Sequence, residues 1–161
     1  MSEFAEAFLN LDSAIIALPM ILKGSLVTLQ LAILIVPLAL ILGIVVAVLR
    51  DLKVRWLTPV LVVYIDVLRS LPPLVLIILL YTALPFVGIR LADFSTVWIA
   101  LVLNGAAFFA EIVRAGLETV SKSQKDAGRV TGLGPLQIEL LIILPQGLRH
   151  AVPQLRAIQL N

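Results

Sequence analysis

Four charged residues stand within or beside long apolar runs of this 161-residue sequence, in two pairs of opposite charge. Asp66 precedes Arg69 by three residues, and Glu111 precedes Arg114 by the same spacing. Charges are costly inside a bilayer unless they pair or face water, so such pairs indicate either an ion or proton path or a structural clamp between helices. We expect the clamp, with pairing across helices: Asp66 with Arg114, and Arg69 with Glu111.

Other residues that could do chemistry are few. Asn104 is a polar side chain in the middle of an apolar run, where it either faces a substrate path or hydrogen-bonds the backbone of a neighbouring helix, which is the commoner arrangement. The sequence has no cysteine, one histidine (His150) and no GxxxxGK[ST] phosphate loop. We therefore expect no catalytic residue, no metal site and no cofactor in this chain.

The composition predicts an all-α membrane protein with several spans. Hydrophobic residues make up 61% of the chain and charged residues 14%, with a mean hydropathy of +1.11, well beyond what soluble domains show. Apolar runs long enough to cross the hydrocarbon core predict three spans, at residues 25–49, 67–87 and 96–117. In the first span, small residues spaced by four form a stripe on which another helix could pack: Ala39, Gly43 and Ala47.

The remaining boundaries follow from helix breakers and charges. Residues 1–22 predict an amphipathic interfacial helix, broken by Pro19 and by Lys23-Gly24, and Pro37 predicts a kink within the first span. The second span is expected to begin near residue 67, with residues 57–68 at the interface, because a straight helix from residue 57 would bury Asp66 in lipid.

Clusters of cations set the expected orientation. Arg50, Lys53 and Arg55 follow the first span, and a second set follows the third span: Lys122, Lys125 and Arg129. Cytoplasmic ends are rich in Lys and Arg, so both clusters predict that the amphipathic N-terminus is outside and that residues 118–145 form a cytoplasmic loop.

The loop is expected to contain two helices. Residues 118–131 predict a helix with charged residues on one face and a thin apolar stripe on the other: Leu117, Val120, Ala127 and Val130. Gly132 and Gly134-Pro135 end that helix and begin a second, residues 136–144, which Pro145 is expected to stop. The tail, residues 146–161, has no apolar run long enough to span.

Within this loop the sequence resembles the cytoplasmic motif of bacterial ABC importer permeases, E-A-A, three residues, G, nine residues, I-x-L-P. The matching residues, at every spacing of the motif, are Asp126, Ala127, Gly128, Gly132, Ile142, Leu144 and Pro145. From Lys23 onward the chain is similar to the polar-amino-acid permeases (histidine, glutamine, glutamate, arginine and opine type), through GSLVTLQLA, YIDVLRSLPPLVLIILLY, AEIVRAGLETVSKSQKDAGR and ILPQGLRHAVPQL. Asp126 replaces the motif's Glu, and Gly128 replaces its second Ala, which weakens the helix by about 1 kcal/mol.

The resemblance implies a permease subunit of an ATP-driven amino-acid importer in the bacterial inner membrane. It implies three partners: a second permease subunit, a periplasmic amino-acid-binding protein, and cytoplasmic ATPase subunits that hold ATP and magnesium. The short helix would dock on an ATPase, with Ala127, Gly128 and Gly132 allowing close approach and Asp126 and Arg129 providing polar anchors. The family fold has five spans, so we expect the C-terminal spans to be missing from this chain.

Two other readings remain open at this point. The chain could be a small helical membrane protein with a structural or assembly role, in which residues 118–145 are only a linker. It could also be a fragment of a secondary transporter whose intramembrane charges form the coupling site.

Overall fold

Helices account for almost all of the structure. A computed structural model describes the backbone of residues 11–158 and the side chains of residues 15–151. In chain order the helices are α1 (Leu11–Asp51), α2 (Leu57–Ser70), α3 (Pro73–Phe86), α4 (Asp93–Glu118), α5 (Lys122–Val130), α6 (Pro135–Ile138), a π-helix (Glu139–Ile143) and α7 (Leu144–Ile158). No strand occurs among the described residues, and the all-α prediction is confirmed.

Within residues 11–158, two helices are long and apolar enough to cross a membrane, and a bent pair makes a third candidate. The two helices are Ile15–Asp51 within α1 and Asp93–Glu118, while α2 and α3 meet at a bend of 108°. The predicted spans at residues 25–49 and 96–117 lie inside α1 and α4. The predicted span at residues 67–87 does not coincide with a single helix, because residues 67–70 belong to α2.

The bend between α2 and α3 has a local cause in the sequence. Leu71 adopts an extended conformation (φ −90°, ψ 128°), as a residue before proline prefers. Pro72 is the N-cap of α3 and Pro73 its first residue, where the missing amide donor costs least. The chain therefore turns at Leu71-Pro72, four residues beyond residue 67, where the second span was predicted to begin.

The chain divides into two units, residues 1–34 and 35–161. The described part of the first unit is the beginning of α1, a helix with many exposed apolar side chains. The predicted break at Pro19 and Lys23-Gly24 is wrong, since α1 is continuous there. One proline or glycine weakens a helix locally, but exposing a whole turn of unpaired backbone in an apolar medium costs more. Residues 1–10 of the predicted amphipathic segment lie outside the described residues.

The core of the second unit forms around α4. The small-residue stripe of α1 packs against it: an added Cβ at Gly43 would lie 3.0 Å from both the Ala106 carbonyl oxygen and the Ala110 nitrogen, and Ala39 and Ala47 are buried. On another side of α4, Tyr64 Oη donates a hydrogen bond to the Leu103 carbonyl oxygen at 2.8 Å, which holds α2.

Helix α7 crosses α4 at two glycines. An added Cβ at Gly116 would overlap the Gly147 carbonyl oxygen and would stand 3.0 Å from the Ala151 Cβ. An added Cβ at Gly147 would stand 2.6 Å from Leu117 Cδ2. The two backbones approach this closely only because neither position carries a side chain.

Replacing Gly116 by alanine should therefore destabilise the protein. The added methyl group must push α7 away from α4, a kind of overpacking that typically costs about 1–3 kcal/mol. Thermal unfolding in detergent should show a lower midpoint for Gly116→Ala. The matched control is Gly24→Ala, where nothing lies within 4 Å of the new Cβ and the midpoint should stay or rise slightly. Equal midpoints for the two variants would contradict the close crossing.

Candidate functional site

Residues 126–145, which we call the motif segment, contain all the residues that match the importer pattern. Helix α5 ends at Gly132, which has φ +83°, a conformation that favours glycine. Its cap is a pair of backbone hydrogen bonds, from Gly132 N to Arg129 O at 3.0 Å and from Leu133 N to Gly128 O at 3.1 Å. The glycine of the pattern is therefore required by the turn itself.

Gly128 lies on the inner face of α5. It is buried, and an added Cβ would stand 2.9 Å from both Ile138 Cγ1 and Ile142 Cδ1. The expectation that Gly128 lets α5 approach an external partner is wrong, because the chain's own isoleucines occupy that space. This contact also explains why glycine is suited to the position where the pattern has alanine.

The outer face of α5 is partly apolar. Val130 is 89% exposed, and Ala127 beside it is exposed as well. Asp126 and Arg129 form an exposed ion pair next to them, with Arg129 Nη1 3.1 Å from Asp126 Oδ1. The predicted apolar stripe is thus divided: Leu117 and Val120 are buried, whereas Ala127 and Val130 face outward.

Pro145 does not stop the helix as predicted. The chain passes from α6 through the π-helix directly into α7, where Pro145 is the second residue. The wider π turn places Leu144 N in a hydrogen bond with Glu139 O, so Pro145 stands near a helix start, where its missing donor matters least. Gln146 Nε2 donates to the Ile142 carbonyl oxygen at 2.9 Å, which satisfies a backbone group near the disruption.

A buried cluster holds the motif segment to the ends of the spans. Its members come from α1, α4, the α4–α5 connection, α6 and the π-helix: Ala47, Val113, Leu117, Val120, Ile138 and Ile143. Ile142 and Leu144 of the pattern pack against it. These two motif residues therefore act as internal anchors of the motif segment.

An ion-pair cluster reinforces this attachment. Lys125 Nζ of α5 pairs with Asp51 Oδ2 at the end of α1, and it lies 3.9 Å from Glu139 Oε2 of the π-helix. Glu139 is only 3% exposed. Its burial, and then the neighbouring Asp51 carboxylate, raise the pKa of Glu139 to about 7.

Sequence reasoning passed over Asp51 and Glu139. The signal for Glu139 was a single acidic residue in the otherwise apolar run LQIELLIIL. Asp51 follows Arg50 directly and was hidden among the cations that mark the end of the first span.

The intramembrane charges pair differently from the prediction. Glu111 accepts hydrogen bonds from Arg50 Nη1 at 2.9 Å and from Arg114 Nε at 3.0 Å, and Arg114 also pairs with Glu118. Glu111 thus joins α1 to α4, whereas the predicted pairs Asp66–Arg114 and Arg69–Glu111 do not form. Arg69 instead lies over the Phe108 ring, 5.5 Å from its centre, and Asp66 is exposed on α2.

Asn104 satisfies the broken backbone at the bend between α2 and α3. Its Nδ2 atom donates to the Leu68 carbonyl oxygen at 2.7 Å and lies 3.5 Å from the Leu71 carbonyl oxygen. Helix ends leave carbonyl groups without a partner, and inside a membrane they need a donor. Of the two roles open to Asn104 on sequence grounds, the structure forms the hydrogen bond to a neighbouring helix.

Among the described residues, no group of three or more acidic or histidine side chains could hold a metal ion.

The family model for the binding-protein-dependent transport system inner membrane component matches residues 39–158, most of the described chain. The chain belongs to this family. The resemblance inferred from the motif segment is thereby confirmed, and the family is one of transport components.

Relatives within the family are similar along most of the chain. The probable glutamine ABC transporter permease protein GlnP of Bacillus subtilis (strain 168) is 36% identical over 81% of this chain, and the probable amino-acid ABC transporter permease protein y4tG of Sinorhizobium fredii is 36% identical over 91%. A crystal structure of an amino acid ABC transporter with histidines matches with a TM-score of 0.74 and 30% identity, over 89% of this chain and 67% of that one. The chain spans 60% of the length of the first relative and 63% of the second.

The charge arrangement around Glu111 predicts a specific coupling between residues. Replacing Glu111 by glutamine removes the carboxylate that Arg50 and Arg114 share and leaves Arg114 only Glu118, which should cost on the order of 1–3 kcal/mol of stability. A double-mutant cycle of Arg50→Gln with Glu111→Gln should give a coupling energy of about 0.5–3 kcal/mol. The comparison cycle of Arg69→Gln with Glu111→Gln should give a clearly smaller one. The reverse order of the two coupling energies would show that the sequence-based pairing is right.

Proposed function

We propose that this chain is the membrane permease part of an ATP-driven amino-acid importer, in which the motif segment docks on a separate ATPase subunit. The observation that carries the proposal is the outer face of α5, where Val130 is 89% exposed beside the Asp126–Arg129 ion pair. An apolar side chain surrounded by charges is typical of a protein interface. The named relatives are amino-acid and glutamine ABC permeases, which supports the substrate class.

The anchoring of the motif segment supports a role in transmitting force. Gly128, Ile138 and Ile142 pack α5 onto the π-helix, and Lys125 joins α5 to the end of α1. A movement of the docked ATPase would therefore pull on α1 and α4 together, and would rock the spans between outward-open and inward-open states.

The proposed orientation places the motif segment in the cytoplasm and the start of α1 outside, in the bacterial inner membrane. Lys125 pairs with Asp51, so the cations at the end of α1 and those of α5 lie at the same end of the protein. Two cationic clusters at one end satisfy the positive-inside rule together.

The remaining partners are those that the resemblance of the sequence to importer permeases implies. A periplasmic binding protein would deliver the amino acid to the outer face, a second permease subunit would complete the translocation path, and the ATPase subunits would hold ATP and magnesium. In α2, Asp66 and Arg69 are exposed, and charges in that position need water or a partner chain. They are therefore better candidates for lining the path than Asn104, whose amide is already bonded to α2.

The docking surface can be tested with Val130→Asp. A carboxylate at this position would have to be desolvated in the interface, so co-purification of the ATPase should fall by roughly tenfold or more. Val130→Thr keeps the shape without the charge and should retain most of the binding. Thermal unfolding of both variants should match that of the unmodified chain, because the side chain makes little contact within it.

Undiminished ATPase binding by Val130→Asp would overturn the proposed docking face. Substrate uptake that continues without ATP and follows an ion gradient would favour a secondary transporter. Binding of no ATPase by the unmodified permease would favour a structural or assembly role.

A further inference from the structure

An open crevice of about 610 Å³ lies where the end of α1 meets the motif segment. Its charged lining comes from every surrounding element: Asp51 and Lys53 at the end of α1, Glu118 of α4, Lys122, Lys125, Asp126 and Arg129 of α5, and Glu139 of the π-helix. Seven of these eight side chains are exposed to solvent or form a close ion pair. Glu139 differs from them because it is almost completely buried.

The position of Glu139 is unusual for a carboxylate. Oε2 lies 3.9 Å from Lys125 Nζ, but Oε1 has no accessible surface and no hydrogen-bond partner among the described residues. The nearer partner of Lys125 is Asp51, with which it forms the closer ion pair. The carboxyl groups of Asp51 and Glu139 therefore both face the ammonium group of Lys125. Of the two, the Glu139 carboxyl group is the buried one.

We propose that Glu139 binds a proton and shares it with Asp51, so that the attachment of α5 to α1 depends on the pH at this end of the protein. With Glu139 neutral, Lys125 and Asp51 form a balanced ion pair, and the Glu139 hydroxyl can donate to the Asp51 carboxylate. With Glu139 ionised, two negative charges face a single cation, and one of them is on a side chain that is only 3% exposed.

The raised pKa of Glu139 determines how the attachment of α5 changes with pH. The pKa of Glu139 is raised by burial to about 7 from an ordinary value of 4.5. A raised acid pKa means that the folded arrangement favours the protonated form, so its stabilising contribution is complete below about pH 4.5 and is lost as the pH rises through about 7. The ionised fraction of Glu139 therefore grows between pH 6 and pH 8. Attachment of α5 should loosen across this range.

The consequence for transport rests on the proposed function. A looser motif segment would transmit less of the ATPase movement to α1 and α4, so coupling between ATP hydrolysis and transport would weaken as the pH rises from 6 to 8. The site would then act as a proton-dependent control on an importer whose energy comes from ATP.

The absence of cysteine from the sequence allows a direct test without any ATPase. A nitroxide spin label would be attached to Gln124→Cys, on the exposed face of α5, in the full permease chain in lipid nanodiscs. The mobile fraction of the label should rise several-fold between pH 6 and pH 8. Glu139→Gln, which cannot ionise, should keep the label immobile throughout.

Two controls and a second variant make the result decisive. His150→Gln removes the one histidine of the sequence, and Glu118→Gln removes another acid that lines the crevice; both should retain the wild-type pH profile. Asp51→Asn removes the neighbouring negative charge and should move the midpoint to lower pH.

A wild-type profile that is flat, or one that persists unchanged in Glu139→Gln, would overturn the proposal. If Glu139→Gln does not fold, an unchanged midpoint in Asp51→Asn would do so. Because the label reports on α5 alone, a clear pH step together with failed ATPase binding would reject the proposed function and leave the proton site standing. ATPase binding without a pH step would reject only the proton site.

Discussion

The close crossing of α4 and α7 at Gly116 and Gly147 is the contact on which the position of the motif segment depends. Helix α7 continues directly from the π-helix, so fixing α7 against α4 also fixes the C-terminal end of the motif segment. Any side chain at Gly116 would meet the backbone of α7. Two helices that approach at backbone distance leave little room for relative movement at the crossing.

Other interactions hold the beginning of the motif segment. Gly128 packs on Ile138 and Ile142, and Lys125 reaches Asp51 at the end of α1. The apolar packing of Gly128 and the ion pair of Lys125 both hold the inner side of α5, and they leave Ala127 and Val130 facing outward. The proposed ATPase docking would use this outward surface.

The features of the fold and of the motif segment that depend on residue spacing alone could be predicted from the sequence. The small residues of α1 pack on α4 as their spacing of four residues indicates, and the motif spacing identified the segment and the family. The predicted spans at residues 25–49 and 96–117 also lie within helices that are long and apolar enough to cross a membrane, because runs of apolar residues favour such helices.

What could not be predicted depends on contacts between residues far apart in the chain. Glu111 pairs with Arg50, 61 residues away, and no local pattern distinguishes that partner from Arg69. Val130 shares its apolar stripe with the buried Leu117 and Val120, so the pattern could not show that Val130 is exposed. Pro145 was expected to stop a helix, because no clear sequence signal marks a π-helix. Glu139 was overlooked because its burial arises only when α5 folds back over it.

The most direct test of the central claim is photo-crosslinking from a single position on the outer face of α5. A photoreactive amino acid at position 130 of the permease, assembled with its ATPase, should yield a permease–ATPase crosslink. The same amino acid at position 87, also strongly exposed but at the end of α3, should yield none. Crosslinks to the ATPase from position 87 and none from position 130 would contradict the assignment of the motif segment as the docking site.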